Sequence, residues 1–285
     1  MKITTIHDQG SGAINEDMYL VKKPLFAVFD GATSLSKYTN KDGKTGGYLA
    51  ASIAKEIFSK SDSQNVKEDV SFNLYYLAVE ANQSLERAME QQGIDLANKR
   101  ERWSTTAAVV RLAENYFDWL QVGDSFILIA YDDNSHKLLE KSDEHDQSWQ
   151  CMWKKLVEEK NPRIKEIIQQ EVEDLRQKMN VTYGFINGEK EMQNFVKGGR
   201  ESLGGVKNII MFTDGLIIPK EDPLALDNFG KLVDLFNEGG LERMVQYVRT
   251  LERNDAPGGV TPRRFYKHFY KQCDDIAAIA LSFQM

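Results

Sequence analysis

The sequence predicts an α+β fold in which antiparallel sheets pack against helices. Patterns typical of strands and helices occur in blocks along the chain: strands, two helices, strands, helices and a final strand. Because strand and helix patterns do not alternate one by one, a doubly wound parallel sheet is not expected. The chain contains 41% hydrophobic and 28% charged residues, a balance typical of a soluble globular protein with a sizeable core.

The first block of the chain is expected to combine short strands with two helices. Apolar runs bounded by turn residues predict strands over residues 3–7, 17–22 and 25–29. Residues 45–60 and 66–92 carry apolar side chains at helical spacing, which is typical of amphipathic helices that pack against a core.

The second block begins as a meander of antiparallel strands, in which small and β-branched residues alternate with tight turns such as Gly123-Asp124. Because no linker or repeat interrupts the chain, we expect one domain over residues 1–285 with helical insertions at about 147–179 and 224–272. The expected elements are strands over 104–112, 116–122, 125–131, 181–187, 206–213 and 276–283 and helices over 147–179, 224–255 and 262–272, with a hairpin turn at Asn187-Gly188.

Composition and charge exclude several functional classes. The formal net charge is −7, and a dominant nucleic-acid surface is not expected because phosphate-backbone binding needs a basic excess. The only cysteines are Cys151 and Cys273, so we expect no disulfide framework and a cytoplasmic location. No apolar run is long enough to cross a membrane, and the N-terminus lacks the apolar core of a signal peptide.

Acidic residues stand at the ends of the predicted strands. Each one alone is typical of a turn, because Asp-Gly and similar pairs are common where strands end. Together they favour a site for a hard divalent cation such as Mg²⁺ or Mn²⁺, which prefers carboxylate oxygens and water as ligands. Zinc is not expected, because the four histidines are scattered and the cysteines lack zinc spacing. The pairs are Glu16-Asp17, Asp30-Gly31, Gly123-Asp124, Asp214-Gly215 and Asp274-Asp275.

Six short motifs, taken in order, resemble those of the metal-dependent serine/threonine protein phosphatases of the PP2C (PPM) family. The resemblance covers the chain from Asn15 to Phe283, and residues 183–188 and 142–146 resemble two further family segments. Each motif is short, but six in the family's order are specific. They are Asn15-Glu16-Asp17, Val28-Phe29-Asp30-Gly31, Trp103-Ser104-Thr105-Thr106-Ala107, Gln121-Val122-Gly123-Asp124-Ser125, Phe212-Thr213-Asp214-Gly215-Leu216 and Asp274-Asp275-Ile276.

The resemblance implies a four-layer α-β-β-α sandwich, in which two antiparallel sheets are flanked by helices and two Mn²⁺ or Mg²⁺ ions lie at one edge of the sheets, with a third, weaker ion. It implies a phosphomonoesterase in which water activated between two metals attacks the phosphorus, so that no cysteine nucleophile is needed. Asp30 and Asp17 are the implied catalytic residues, and Asp30 bridges both metals. The implied metal ligands are Glu16, Asp17, Asp30, Gly31 through its carbonyl, Asp124 for the third metal, Asp214 and Asp274.

The choice between Asp274 and Asp275 stays open at this stage. Asp274 is preferred, because the family motif places the ligand first and usually follows it with asparagine. The resemblance implies no other cofactor.

The sequence departs from the family pattern where the substrate phosphate is bound. Gly12 stands five residues before Asp17, a position at which the family usually has an arginine. Loss of a bidentate guanidinium would weaken phosphate binding. Arg100, Arg102 or a basic residue of the aromatic and basic stretch 263–271 could replace it, and nothing in the sequence decides among them.

Two further departures concern the neighbouring motifs. Ala32-Thr33-Ser34 follows the Asp-Gly pair where the family often has His-Gly-Gly or Met-Gly-Gly, and Phe126 stands where the family has an arginine. The metal-binding end of each motif is therefore retained and the phosphate-binding end is not. This pattern predicts a divergent phosphatase with an unusual substrate.

Three functions are compatible with the sequence. The preferred one is a Mg²⁺- or Mn²⁺-dependent phosphatase acting on phosphoserine or phosphothreonine in proteins. The second is the same fold acting on a small phosphomonoester. The third is a catalytically weak binding or regulatory module, which Gly12 and Ala32 favour and the retained aspartates oppose, because like charges repel without a metal. No nucleic-acid or membrane partner is expected.

Overall fold

The computed structural model of the protein describes residues 1–32, 35–36, 38–60, 70–140, 147–255, 264–267, 269 and 271–283. Thr33, Ser34 and the stretch 142–146, which the sequence analysis singled out, lie outside the described residues.

Two antiparallel sheets of five strands each form the centre of the described structure. In chain order the strands are β1 (Lys2–Asp8), β2 (Met18–Lys22), β3 (Leu25–Phe29), β4 (Gly31–Ala32), β5 (Ser104–Thr105), β6 (Ala107–Leu112), β7 (Tyr116–Val122), β8 (Phe126–Tyr131), β9 (His136–Leu138), β10 (Lys197–Ser202), β11 (Val206–Phe212) and β12 (Ile276–Ser282). One sheet has the order β1-β12-β11-β8-β9, the other has the order β10-β7-β6-β3-β2, and β4 pairs with β5 beside them.

Helices cover the outer face of each sheet. The helices are α1 (Gly46–Ser59), α2 (Val70–Gln91), α3 (Gln147–Glu158), α4 (Ile164–Gln177) and α5 (Phe229–Arg253), the last with non-helical backbone at Gly239 and Gly240. Within the described part of the chain, none of them combines the length and the apolar character that crossing a membrane requires.

Three apolar clusters fill the spaces between these layers. One lies between the β10-β7-β6-β3-β2 sheet and helices α1 and α2, with Phe29, Phe58 and Leu85 fully buried. Another lies between the two sheets, and a third packs α5 against the other sheet. Burial of apolar surface between adjacent layers stabilises the packing of the sheets and helices. The four-layer α-β-β-α sandwich expected from the sequence is therefore confirmed.

The strand register brings the predicted acidic residues to one edge of the sandwich. Met18 at the start of β2 pairs with Phe29 at the end of β3. In the other sheet Phe212, at the end of β11, pairs with both Phe126 and Ala278 near the starts of β8 and β12. The residues just outside these strand ends therefore lie next to one another, although they are far apart in the sequence.

Helices α3 and α4 form a separate apolar cluster beside this edge. Trp149 and Trp153 are stacked with ring centroids 6.1 Å apart, and Trp153 also contacts Tyr266 and Phe269 edge-on at 5.0 and 5.1 Å. The hairpin of α3 and α4 is thus attached to the aromatic segment that precedes β12.

Two expected elements are wrong. Residues 181–187 form isolated bridges at Tyr183 and Ile186 and no strand, because the Asn180 side chain bonds both the N–H and the carbonyl of Phe185 in place of a neighbouring strand. The stretch expected to be a helix over 262–272 is not helical in its described residues. There Asp255 accepts the backbone N–H groups of residues 264 and 265, although Phe265 and Phe269 are buried as an amphipathic helix would have them.

Candidate active site

Five aspartates stand immediately outside strand ends at the edge described above. Asp17 precedes β2, Asp30 follows β3, Asp124 lies between β7 and β8, Asp214 lies two residues after the end of β11, and Asp274 lies two residues before β12. Rigid strands therefore hold these carboxylates, and turns supply the change of direction that points them to the edge.

Asp17 is held by a residue of the opposite sheet. The Thr213 hydroxyl donates a hydrogen bond to Asp17 Oδ2 at 2.6 Å, and the same hydroxyl oxygen accepts the backbone N–H of Ala277 at 2.9 Å. Asp17 is only 3% exposed, and a bond to a charged acceptor in such a place is stronger than one in water. This contact links the two sheets at the site.

Asp30 is fixed through its backbone. Its carbonyl accepts the N–H of Thr106 at 2.9 Å and the hydroxyl of Thr105 at 2.7 Å. The next residue, Gly31, lies so close to Glu16 and Gly47 that an added Cβ would be 2.5 and 2.6 Å from their carbonyl oxygens. Only glycine fits at this position, which fixes the direction in which Asp30 leaves the strand.

The adjacent aspartates 274 and 275 have different environments. Asp275 Oδ1 accepts the N–H of Gly10 at 2.7 Å and its Oδ2 accepts the N–H of Glu16 at 2.8 Å. Both oxygens of the buried Asp275 carboxylate are thus bound to backbone groups. Asp274 lines the cavity at the site, and its backbone carbonyl accepts a hydrogen bond from Arg249 Nη2 at 2.6 Å.

Electrostatic repulsion shows that the five aspartates share one site. Burial first, and then the charges of Asp17, Asp214, Asp274 and Asp124, raise the pKa of Asp30 well above its ordinary value. Burial, together with Asp274, Asp275 and Asp214, likewise raises the pKa of Asp17, and the Thr213 hydrogen bond opposes that rise.

Asp214 follows the same pattern. Burial and the charges of Asp274 and Asp124 raise its pKa from 3.8 to about 7, against the opposing effect of Lys267 and Lys271. A group of carboxylates that raises its own pKa values is poorly compensated by the protein alone.

Glu16 forms a hydrogen bond with the residue that caps the first helix. Its Oε1 accepts a hydrogen bond from the Thr45 hydroxyl, and that hydroxyl also accepts the N–H of Tyr48 at 3.2 Å as the N-cap of α1. Glu16 thus connects the site to the first helix.

A cavity of about 820 Å³ opens from the carboxylates. Its size is within the range of pockets that bind drug-sized ligands. Aspartates 30, 124, 214 and 274 line one end, together with Gly31 and Gly12. The walls beyond that end are largely apolar and include Trp149, Val172, Leu175, Phe185, Ile217 and Leu226.

The basic residues proposed to replace an arginine at Gly12 lie in different places. Arg100 pairs with Glu173 at 2.9 Å, and Arg102 donates to the carbonyls of Leu96 and Asn187. Neither lines the cavity. Lys271, from the stretch 263–271, does line it and contacts Asp274 Oδ1. Burial lowers the pKa of Lys271, but the charges of Asp274, Asp214 and Asp30 raise it by a larger amount. The pKa of Lys271 is therefore above its ordinary value.

The donor set fits a hard divalent cation by its chemistry. The acidic end of the cavity offers carboxylate oxygens, the ligands that Mg²⁺ and Mn²⁺ prefer. In the arrangement described, however, no group of three or more His, Cys, Asp or Glu side chains among the described residues forms a ready metal-binding cluster. Lys271 meets Asp274 in that arrangement, and the carboxylates would have to turn toward a common point to bind an ion.

Sequence patterns did not identify every residue that organises the site. Thr213 was part of a motif without an assigned role, yet it joins Asp17 to the opposite sheet. Arg249 belongs to none of the sequence motifs, although it joins Asp8, Glu252 and the carbonyl of Asp274. Thr213 and Asp17, like Arg249 and Asp8, are distant in the sequence, and only the fold shows that they meet.

Comparison with known proteins places this geometry in context. The family model described as protein phosphatase 2C matches residues 7–256. The serine/threonine phosphatase PstP/Ppp of Mycobacterium tuberculosis is 13% identical with a TM-score of 0.62, covering 100% of this chain and 99% of that one. The catalytic domain of PstP in complex with two manganese ions is 14% identical with a TM-score of 0.60, covering 98% and 96%.

A third solved structure, the serine/threonine phosphatase Stp1 of Staphylococcus aureus, is 14% identical with a TM-score of 0.59, covering 100% of this chain and 95% of that one. At these identities, structural similarity shows the fold alone. A comparison with curated protein sequences found no match.

The raised pKa of Asp214 predicts a pH-dependent stability for the metal-free protein. A carboxyl group whose pKa is higher in the folded state stabilises the fold below its unfolded pKa of about 3.8, and this contribution is lost as pH rises through about 7. Relative to wild type, Asp214→Asn should therefore gain stability between pH 4 and pH 7, by at most about 1.4 kcal/mol per pH unit. Urea unfolding in EDTA measures this difference, and a constant difference across that range would contradict it.

Proposed function

The chain belongs to the protein phosphatase 2C family, and from this we propose that it hydrolyses its substrates with two Mn²⁺ or Mg²⁺ ions held by the strand-end aspartates. The family assignment confirms the predicted enzyme class, a protein serine/threonine phosphatase and so a phosphoric monoester hydrolase. The metal dependence, the residue roles and the substrate below are the proposal.

The observation that carries the proposal is the mutual repulsion of the buried aspartates. Asp17, Asp30 and Asp214 all have raised pKa values, with burial as the main cause and neighbouring carboxylates as the next. A protein with no use for a cation gains nothing from such a group, whereas a divalent cation offsets the repulsion. The complex of PstP with two manganese ions supports the same chemistry for this fold.

We assign the metal-binding roles as follows. Asp30 would bind both ions, Asp214 and Asp274 would bind the first, and Asp17 would act near the second together with Glu16. Gly31 contributes its carbonyl, and Asp124 binds a third, weaker ion. Asp274 is assigned in preference to Asp275, because both carboxylate oxygens of Asp275 already accept backbone N–H groups.

The chain's own residues position the reacting groups. When bound, the metal ions supply the positive charge that activates a water and neutralises the phosphoryl oxygens. Thr213 holds Asp17 in one orientation, and the Thr105 hydroxyl and the Thr106 N–H hold Asp30 by donating to its backbone carbonyl. Held in this way, the carboxylates need little rearrangement of the backbone during the reaction.

The cavity walls favour a phosphoprotein segment over a small polar metabolite. Beyond the carboxylates, most lining side chains are apolar, such as Val172, Ile217 and Leu226, although polar ones also line the cavity, among them Gln147, Gln150 and Gln169. A sugar or nucleotide phosphate needs polar partners for its hydroxyl groups, whereas a bulky apolar residue beside phosphoserine or phosphothreonine would bury its side chain here. A small apolar phosphomonoester is the alternative that this wall also permits.

Three further expectations remain part of the proposal. We propose that residues 1–285 act as one phosphatase domain, with the segments at about 147–179 and 224–272 as its helical insertions. We also propose a cytoplasmic location, and no nucleic-acid or membrane partner.

Hydrolysis of p-nitrophenyl phosphate tests the proposed activity. Wild-type protein should be active with millimolar Mn²⁺ and inactive in EDTA. Asp30→Asn should lower kcat at least about 100-fold, because it removes the proposed bridging charge. The exposed Asp234→Asn on α5 is the control and should retain full activity. Equal activity of Asp30→Asn and wild type would contradict the assignment, and no Mn²⁺-dependent hydrolysis by folded wild type would favour the binding module.

A panel of phosphopeptides tests the proposed substrate. Peptides with leucine or phenylalanine beside phosphoserine should have kcat/KM about 10-fold higher than peptides with glutamate there, which is typical for an apolar pocket. Leu226→Ser, at a cavity residue that is 80% exposed, should reduce this preference, whereas Val181→Ser, 65% exposed and outside the cavity lining, should not. A higher kcat/KM for sugar or nucleotide phosphates than for every peptide would contradict the proposal.

A further inference from the structure

The acidic end of the cavity must admit a phosphate group, which is itself an anion. Cations of the chain that line the cavity are therefore the candidates for binding it, beyond any metal. Among the described residues these cations are Arg176, Lys220, Lys267 and Lys271.

Two of these four cations are bound elsewhere. Lys220 pairs with Asp227 at 2.9 Å. Lys267 donates to the carbonyls of Gly215 and Ile217 at 3.0 and 2.9 Å, so it supports the turn after β11. The ammonium groups of Lys220 and Lys267 thus stabilise segments of the chain that form the cavity walls.

Arg176 and Lys271 differ in how they meet the acidic group. Arg176 Nη1 lies 3.4 Å from the Ser104 hydroxyl, beside the short β4 and β5 pair. Lys271 contacts the Asp274 carboxylate itself, and its charge also acts on Asp214 and Asp30. The ammonium group of Lys271, which lines the cavity, is thus in direct contact with the carboxylate of a proposed metal ligand.

The backbone of Lys271 is anchored where the two ends of the chain meet. The Ser11 N–H donates to the carbonyl of Cys273 at 3.0 Å, and the N–H of Gln272 donates to the Ser11 hydroxyl at 3.1 Å. Gly10 approaches so closely that an added Cβ would be 2.5 Å from the Cys273 carbonyl oxygen. These contacts hold the residues that directly follow Lys271, and Lys271 and Gly12 both line the cavity.

We propose that Lys271 is the residue that binds the substrate phosphate, and that it exchanges partners to do so. In the structure its ammonium group pairs with Asp274. Divalent cations held by the carboxylates would repel the Lys271 ammonium group, which would then leave Asp274 and pair with the phosphate. The long, flexible lysine stem permits this movement, and its three donors suit a phosphate. The phosphate-binding half of this inference rests on the proposed function.

This exchange predicts opposite effects of one substitution. Lys271→Met keeps the stem and removes the charge, so Mn²⁺ no longer competes with an ammonium group and should bind about 10-fold more tightly. The same variant loses a charge-assisted bond to phosphate, so KM for p-nitrophenyl phosphate and the inhibition constant of inorganic phosphate should each rise about 10-fold or more. The kcat at saturating substrate should change much less.

The experiment measures Mn²⁺ binding by calorimetry without substrate, and steady-state kinetics with inorganic phosphate as inhibitor. Lys271→Gln is the second neutral variant, and it retains a hydrogen-bond donor near Asp274. Agreement between the two neutral variants shows that the effect does not come from a packing defect in Lys271→Met. Lys271→Arg should retain phosphate binding. Lys137→Met, which removes a surface ion pair with Glu201, is the control and should match wild type in both measurements.

Tighter Mn²⁺ binding together with a raised KM in both neutral variants would support the exchange. An unchanged KM, or Mn²⁺ binding that is unchanged or weaker, would overturn it. If wild type shows no Mn²⁺-dependent hydrolysis, the proposed function fails first. Calorimetry of inorganic phosphate binding to the Mn²⁺-loaded variants then decides the role of Lys271 by the same criteria.

Discussion

The repulsion among buried carboxylates at one edge of the two sheets is the constraint on which the rest of this structure depends. Asp17, Asp30 and Asp214 are kept together although burial and neighbouring charges raise their pKa values. Such an arrangement persists only where the surrounding structure holds it in place. Here rigid strand ends, a hydrogen bond between the sheets and backbone N–H groups provide that support.

The support is divided between adjacent residues of different function. Asp275 binds the backbone N–H groups of Gly10 and Glu16 and so joins the start of β12 to the loop between β1 and β2. Its neighbour Asp274 lines the cavity and meets Lys271. Asp275 thus stabilises the edge of the sheets, and Asp274 lines the cavity. In this arrangement the carboxylates can repel one another without unfolding the strands that carry them.

Local patterns were sufficient to predict the layers and the acidic positions, because strand ends and helical periodicity are encoded in neighbouring residues. They failed at residues 181–187, where Asn180 satisfies the backbone in place of a sheet. They also failed in the described residues of 262–272, which are not helical and where Tyr266 and Phe269 pack on Trp153. Partners such as Thr213 were also beyond prediction, since a hydrogen bond across 196 residues depends on the finished fold.

The most direct test of this account is a crystal structure with Mn²⁺, using anomalous scattering to locate the ions. We expect two strong anomalous peaks bridged by the Asp30 carboxylate, with Asp274 as a ligand, Lys271 moved away from it, and Asp275 still bound to the N–H groups of Gly10 and Glu16. Absence of manganese at Asp30 in crystals grown with millimolar Mn²⁺, or ligation by Asp275 in place of Asp274, would contradict the account.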